Sequence, residues 1–156
     1  MLDSSLHQGV DFDWRNSPLF NFCEESDWEC FLRVVDFHEM AAGCELWSEG
    51  GSESLLICLV SGSLESVKKT PGWGKPIIMA EFSPGATVGE LVFDDLDYHS
   101  TTLRVIEDAQ LLICGSQGAA TLLSDSPVTA ARLWRGAACL QQLRLRQANS
   151  RLATLF

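Results

Sequence analysis

The apolar positions of the chain change rhythm twice, and each rhythm predicts a different kind of element. Trp28, Phe31, Leu32 and Val35 recur at steps of three and four, the period of a helix with one buried stripe. Ahead of them, Ser17-Pro18-Leu19-Phe20 offers a proline for a first turn. Glu24, Glu25, Asp27 and Glu29 then place acids near the positive end of a helix dipole. An N-terminal helix is therefore expected after a polar lead-in of residues 1–16.

From Phe37 to Gly115 the period shortens. Runs rich in Val, Ile, Leu and Thr alternate with glycines at Gly43, Gly50, Gly51, Gly62, Gly72, Gly74, Gly85 and Gly89. The clearest strands are Ser54–Val60, Ser63–Lys68, Ile77–Phe82, Thr101–Ile106 and Gln110–Cys114, with a turn at Pro71-Gly72-Trp73-Gly74 and a connection at Glu107-Asp108-Ala109. So many short strands imply a sandwich or barrel rather than alternating βα units.

After Gly115 the helical period returns. Gln117–Leu123 forms one stretch, and a longer one follows Ser126-Pro127, a cap residue and a proline at the first helical position. In the long helix Ala131, Trp134, Ala138, Gln141, Leu145, Ala148, Leu152 and Leu155 form a heptad-like seam, while Leu133, Ala137 and Leu140 make a second stripe in its first half. The expectation is that the second stripe packs on the barrel and the seam meets another chain. The alternative is one amphipathic helix lying wholly on its own domain.

Length and composition narrow the picture. The 156 residues, 46% of them hydrophobic, suffice for one domain with a core and leave little for a second. The formal charge of -10 disfavours broad nucleic-acid binding. That charge is segregated: residues 1–60 carry twelve acids against Arg15 and Arg33, and the remainder is balanced. Arg132, Arg135, Arg144, Arg146 and Arg151 lie in a last segment free of acids, so front and tail are expected to attract, within or between chains. The longest apolar run, Leu55–Val60, is a buried strand rather than a membrane span, and the first residues do not read as a secretory signal; a cytoplasmic location is expected.

Candidate chemistry is sparse. The six cysteines (Cys23, Cys30, Cys44, Cys58, Cys114 and Cys139) have long, irregular gaps and no C-x-x-C, so they read as reduced, buried thiols. His7, His38 and His99 are isolated, with no H-x-H for a metal, and no G-x-S-x-G, C-G-S-C-W or P-loop occurs. Neither an enzyme nor a bound cofactor is expected.

One segment is more specific. Gly85-Ala86-Thr87-Val88-Gly89-Glu90-Leu91, then seven residues, then His99-Ser100-Thr101-Thr102-Leu103 resembles the phosphate-binding cassette of the cyclic-nucleotide-binding domain family. Outside it, Ser17–Phe20 resembles the family's N-terminal helix, Ala42–Gly50 its G-x-x-L-x-x-x-G turn and Leu56–Gly62 its strand end, and Arg104–Ala109 continues in the same style. The resemblance spans about residues 17–150, in order. It implies a mainly β fold with flanking helices: a double-stranded β-helix, or jelly-roll, barrel with an N-terminal helix and a long C-terminal helix, similar to the sensor half of the catabolite activator and of kinase regulatory subunits. On this reading residues 17–126 form the barrel unit and 127–156 a dimerisation or hinge helix.

The resemblance also assigns roles. Gly89 lets the backbone approach a phosphate, with Leu91 opening a short helix whose free amides face the charge. Glu90 accepts a ribose 2′-hydroxyl, the alternative being a solvated loop carboxylate. Ser100 and Thr101 line the phosphate end. Where family members that bind nucleotide carry an arginine, this chain has His99. A neutral imidazole forfeits a bidentate, charge-assisted pair, a loss of roughly 1.5–3 kcal/mol or ten- to hundredfold in affinity. The acids Asp94, Asp95 and Asp97 add to the deficit. Compensation is expected from protonation of His99, a histidine ordinarily charging below about pH 6.5, or from Arg104 or an arginine of the last helix swinging in; a plain loop histidine is the other reading.

Two functions follow as expectations. One is a sensor module of bacterial type, without a DNA-binding domain, that binds a small anionic ligand of the cAMP or cGMP class and signals through its C-terminal helix as a homodimer. The other is a degenerate interaction module that has lost the ligand. A helix-turn-helix would need about 70 further residues after the long helix, so direct DNA binding is not expected.

Overall fold

A computed structural model describes residues 10–72, 74–90 and 98–155. Two 3-10 turns, Trp14–Asn16 and Pro18–Phe20, precede helix α1 (Glu25–Leu32). Strands β1 (Asp36–Met40), β2 (Glu45–Trp47), β3 (Leu55–Lys69), β4 (Pro76–Phe82), β5 (Thr87–Val88) and β6 (Thr102–Gly115) follow, then helices α2 (Ser116–Asp125) and α3 (Pro127–Ala153). The strands form one antiparallel sheet in the order β1-β6-β3-β4, with β2 added to β6 and β5 to β3. This is the expected jelly-roll architecture with flanking helices.

The long strands explain how one sheet serves two cores. Side chains alternate across a strand. In β3, Ile57 and Leu59 point into the barrel with Trp47, Leu64, Val88, Leu103 and Leu111, whereas Leu56 and Cys58 face the helices. In β6, Leu111 joins the first cluster and Leu112 and Cys114 the second. The unbroken apolar run of β3 is thus the signature of a strand covered on both faces.

Several boundaries differ from expectation. The strands expected at 54–60 and 63–68 are one strand, kept continuous by register shifts between Leu59 and Leu64, and Gly62 has a φ of 84°. A Cβ at Gly62 would meet the Asp108 carbonyl at 2.4 Å, so the crossing of β3 and β6 admits only glycine. Likewise Glu107-Asp108-Ala109 is no connection but the middle of β6.

The N-terminal helix starts later than expected. Ser17–Phe20 closes a single 3-10 turn, and α1 begins at Glu25, where Glu24 and Asp27 form a reciprocal capping box. Val35 lies beyond α1 yet is buried. The stretch read as lead-in supplies Phe12 and Trp14 to the core, both stacked on Trp28 with ring centroids 5.8 Å apart.

Helix α3 holds to the two-stripe reading in its first half, where Leu133, Ala137 and Leu140 are buried while Trp134 and Ala138 are exposed. Ser126 contributes no side-chain cap; its carbonyl accepts from Ala130 at 3.0 Å. The attraction between acidic front and basic tail operates within the chain: Arg132 pairs with Asp27 at 2.6 Å and with Glu24 at 3.2 Å. Among the cysteines, Cys58 and Cys114 are buried but Cys139 is exposed, a departure from the uniformly buried reading. Burial pushes the Cys114 thiol up to about 12 and that of Cys58 higher still, so both behave as hydrophobes. No helix of the described residues is long and apolar enough to cross a membrane.

Candidate functional site

Strand β5 ends at Gly89, and the geometry there is dictated by proximity. Gly89 has a φ of 78°, and a Cβ on it would stand 1.9 Å from the Leu55 carbonyl oxygen. The backbone therefore turns hard against β3 and delivers Glu90 into the interior, only 1% exposed. That burial removes the alternative of a solvated loop carboxylate. Leu91, with the short helix expected after Gly89 and the acids Asp94, Asp95 and Asp97, lies outside the described residues.

The returning limb is fastened to the turn at Gly50-Gly51. The His99 amide donates to the Gly51 carbonyl, and the Gly50 amide donates to the His99 carbonyl, each at 2.8 Å. The imidazole lies flat on Trp47, with centroids 4.2 Å apart and planes 9° from parallel, and its Nε2 meets the carbonyl oxygen of Glu53. His99 is thus held as a flat wall, with one ring nitrogen committed to the Glu53 carbonyl. Next to it the Ser100 carbonyl accepts from Lys68 Nζ at 2.8 Å, and Lys68 also pairs with Glu49 at 2.8 Å. The lysine bond, with a second from the Lys69 amide, holds the Glu49 carboxyl below its ordinary range.

Gly89, Glu90, His99, Ser100 and Thr101 border a single cavity of about 730 Å³, a size suited to a small organic ligand. One wall is the barrel and the other is α3. Glu90 Oε1 accepts from Gln141 Nε2 at 2.7 Å and from Arg144, whose second nitrogen donates to the Thr87 carbonyl at 2.7 Å. Glu90 Oε2 is buried and has no partner among the described residues; the same holds for Trp47 Nε1. Two turns further along α3, Arg151 donates to the Met79 carbonyl of β4 at 2.8 Å.

Of the arginines considered, Arg104 pairs with Glu65 of the neighbouring strand and does not border the cavity, whereas Arg144 of the last helix reaches Glu90. Sequence reasoning placed Arg144 and Arg151 in the basic last segment but singled out neither as a cavity residue. Their spacing with Gln141 and Ala148 is the signal that would have found them, since all four line the cavity. Gln141, Ala148, Leu152 and Leu155, read as part of an outward seam, face this cavity.

Neither a protein-family model nor a curated protein sequence matches the chain. Solved structures do match. The catabolite activator protein of Thermus thermophilus is 24% identical with a TM-score of 0.75 over 89% of this chain; the chain spans 63% of that protein's length. A cyclic nucleotide-binding domain from Methylobacillus flagellatus is 17% identical with a TM-score of 0.77, covering 85% of this chain and 74% of its own. The c-di-GMP-responsive global regulator CLP of Xanthomonas campestris is 20% identical with a TM-score of 0.70, covering 85% and 66%. The fold is that of the cyclic-nucleotide-binding domains.

Proposed function

We propose that the chain is a regulatory sensor module whose cavity takes a small anionic, hydroxyl-bearing ligand of the cyclic-nucleotide class and whose α3 reports its presence. The observation that carries this reading is Glu90. A carboxylate withdrawn from water keeps one acceptor oxygen without a partner among the described residues, which is costly unless a donor arrives. A ligand hydroxyl is such a donor. Because Gln141 and Arg144 hold the other oxygen of the same carboxylate, a ligand that engages Glu90 acts on α3 directly.

Calorimetric titration with cAMP, cGMP and c-di-GMP at pH 5.5 and 7.5 tests the reading. Heat from at least one of them supports it; silence across the panel from folded protein removes it and leaves the interaction-module alternative. What favours that alternative is that His99 is occupied by Glu53 and Arg144 by Glu90. His99→Arg returns a forked cation to the loop and is expected to tighten binding of cAMP or cGMP by roughly ten- to hundredfold. An unchanged affinity would mean that the loop no longer seats the phosphate.

Pairing with a second copy of this chain belongs to the same reading. The outer face of α3 exposes Trp134 and Leu145, which do not border the cavity. Sedimentation is expected to give twice the 17.2 kDa of the chain, and Leu145→Asp to halve it. A variant that sediments like the parent would exclude this face.

A further inference from the structure

The charges around the cavity are divided by element. The barrel wall contributes Glu53, Glu81 and Glu90 and no lysine or arginine, while both cations that border the cavity, Arg144 and Arg151, stand on α3. Arg144 is consumed by Glu90 and the Thr87 carbonyl. Arg151 spends one nitrogen on a neutral carbonyl and has no carboxylate within ion-pair distance among the described residues. The free positive charge therefore stands two helical turns, about 10 Å, along the axis from the residue that grips Glu90.

We infer that Arg151 is the anion-binding residue of this cavity, and that the ligand is a linear nucleotide with its ribose hydroxyl at Glu90 and its terminal phosphate on Arg151. The inference rests on the reading of Glu90 as a ligand acceptor and adds where the charge is read. A compact cyclic diester seated at His99 would meet an imidazole already spent on the Glu53 carbonyl, and the guanidinium of Arg144 is already committed to Glu90 and Thr87. A terminal phosphate carries more charge, and a linear chain can span the distance to the helix. Phe82, Val88 and Leu152 also border the cavity, with apolar surface suited to the flat face of a base branching from that ribose.

The test is titration of the full chain at pH 7.5 with ADP, AMP and cAMP, repeated on Arg151→Gln and on Arg146→Gln, a neighbouring exposed arginine that does not border the cavity. ADP is expected to bind more tightly than cAMP, and Arg151→Gln to weaken ADP by about ten- to hundredfold, the worth of a charge-assisted bond, while Arg146→Gln leaves it unaltered. Arg151 is exposed, so thermal unfolding of the variant is expected to match the parent, separating lost binding from lost fold. Nucleotide binding that Arg151→Gln does not weaken overturns the inference and leaves the sensor reading standing. No binding of any of the three overturns the inference, and the sensor reading falls with it only when cGMP and c-di-GMP are silent as well.

Discussion

Asp27→Ala is expected to remove about 3–5 kcal/mol of folding stability, the scale seen when one member of a buried charged cluster is deleted. Asp27 is 4% exposed and its carboxylate serves three donors on two segments. Its oxygens take the Glu24 amide at 2.8 Å, the Thr129 hydroxyl at 2.6 Å and Arg132 at 2.6 Å, and the capping box adds the reciprocal bond from the Asp27 amide to the Glu24 side chain. Alanine leaves the buried Thr129 hydroxyl unpaired, uncaps α1 and detaches it from α3 in one change. Chemical denaturation reads the loss; a change under 1 kcal/mol would mean that Thr129 and Arg132 find other partners.

The same cluster sets an acid limit. Burial by itself would raise the Asp27 pKa, but the Thr129 hydroxyl, the Glu24 amide and the Arg132 guanidinium outweigh it and hold the carboxyl below its ordinary 3.8. A depressed folded value means that the stabilisation is complete above the unfolded value and is lost as pH falls through the folded one. Stability measured from pH 6 down to pH 2 is therefore expected to drop below about pH 4, and Asp27→Asn to flatten that limb.

Gly136→Val carries the second large effect. A Cβ at Gly136 would lie 1.8 Å from the Leu19 carbonyl oxygen and 2.7 Å from its carbon, both backbone atoms that cannot rotate aside. Helix α3 rides directly on the Pro18–Phe20 turn at this point, and valine would force the two apart, opening the cluster of Leu19, Phe20 and Leu133. A loss of at least about 3 kcal/mol is expected, the upper range for overpacking. Gln142→Val, on the exposed face of the same helix, provides the control for helix propensity and is expected to cost under about 1 kcal/mol. Equal effects from both would show that the close approach at Gly136 is not what limits the site.

The fold was legible in the sequence because its signals are local or ordered along the chain. Glycines at Gly43, Gly50, Gly85 and Gly89 adopt positive φ where the turns were expected, and the two-stripe pattern of α3 marks its buried side. Polar stretches misled in both directions. Glu107-Asp108-Ala109 reads as a loop but is carried through by pairing with β3 and β1, since an exposed strand face tolerates acids. Phe12 and Trp14 sit among acids and asparagine, so their place in the core depends on Trp28, which no local pattern connects to them.

The buried turn at Gly89 and Glu90 was legible in the sequence, whereas the cations that border the cavity were not. Arg144 is more than fifty residues from Glu90, and only the docking of α3 brings them together. An amphipathic seam gives the period of the buried positions but not which neighbour covers each turn. That is why Gln141, Ala148 and Leu152 read as outward positions.

The mounting of α3 has a mechanical consequence. Its buried residues run from Thr129 to Leu140, and between 141 and 155 none is buried; among the described residues its hydrogen bonds to the barrel there go to Glu90, Thr87 and Met79, and Arg144 also lies over the Phe82 ring. The helix is a cantilever, clamped by close packing over its first half and latched by a few hydrogen bonds over its second. From Gln141 to Ala153 it extends about 18 Å, so a tilt of about 10° at the latch sweeps the tip through about 3 Å. A rearrangement too small to notice at one carboxylate is thereby amplified into a displacement that a neighbouring molecule can feel.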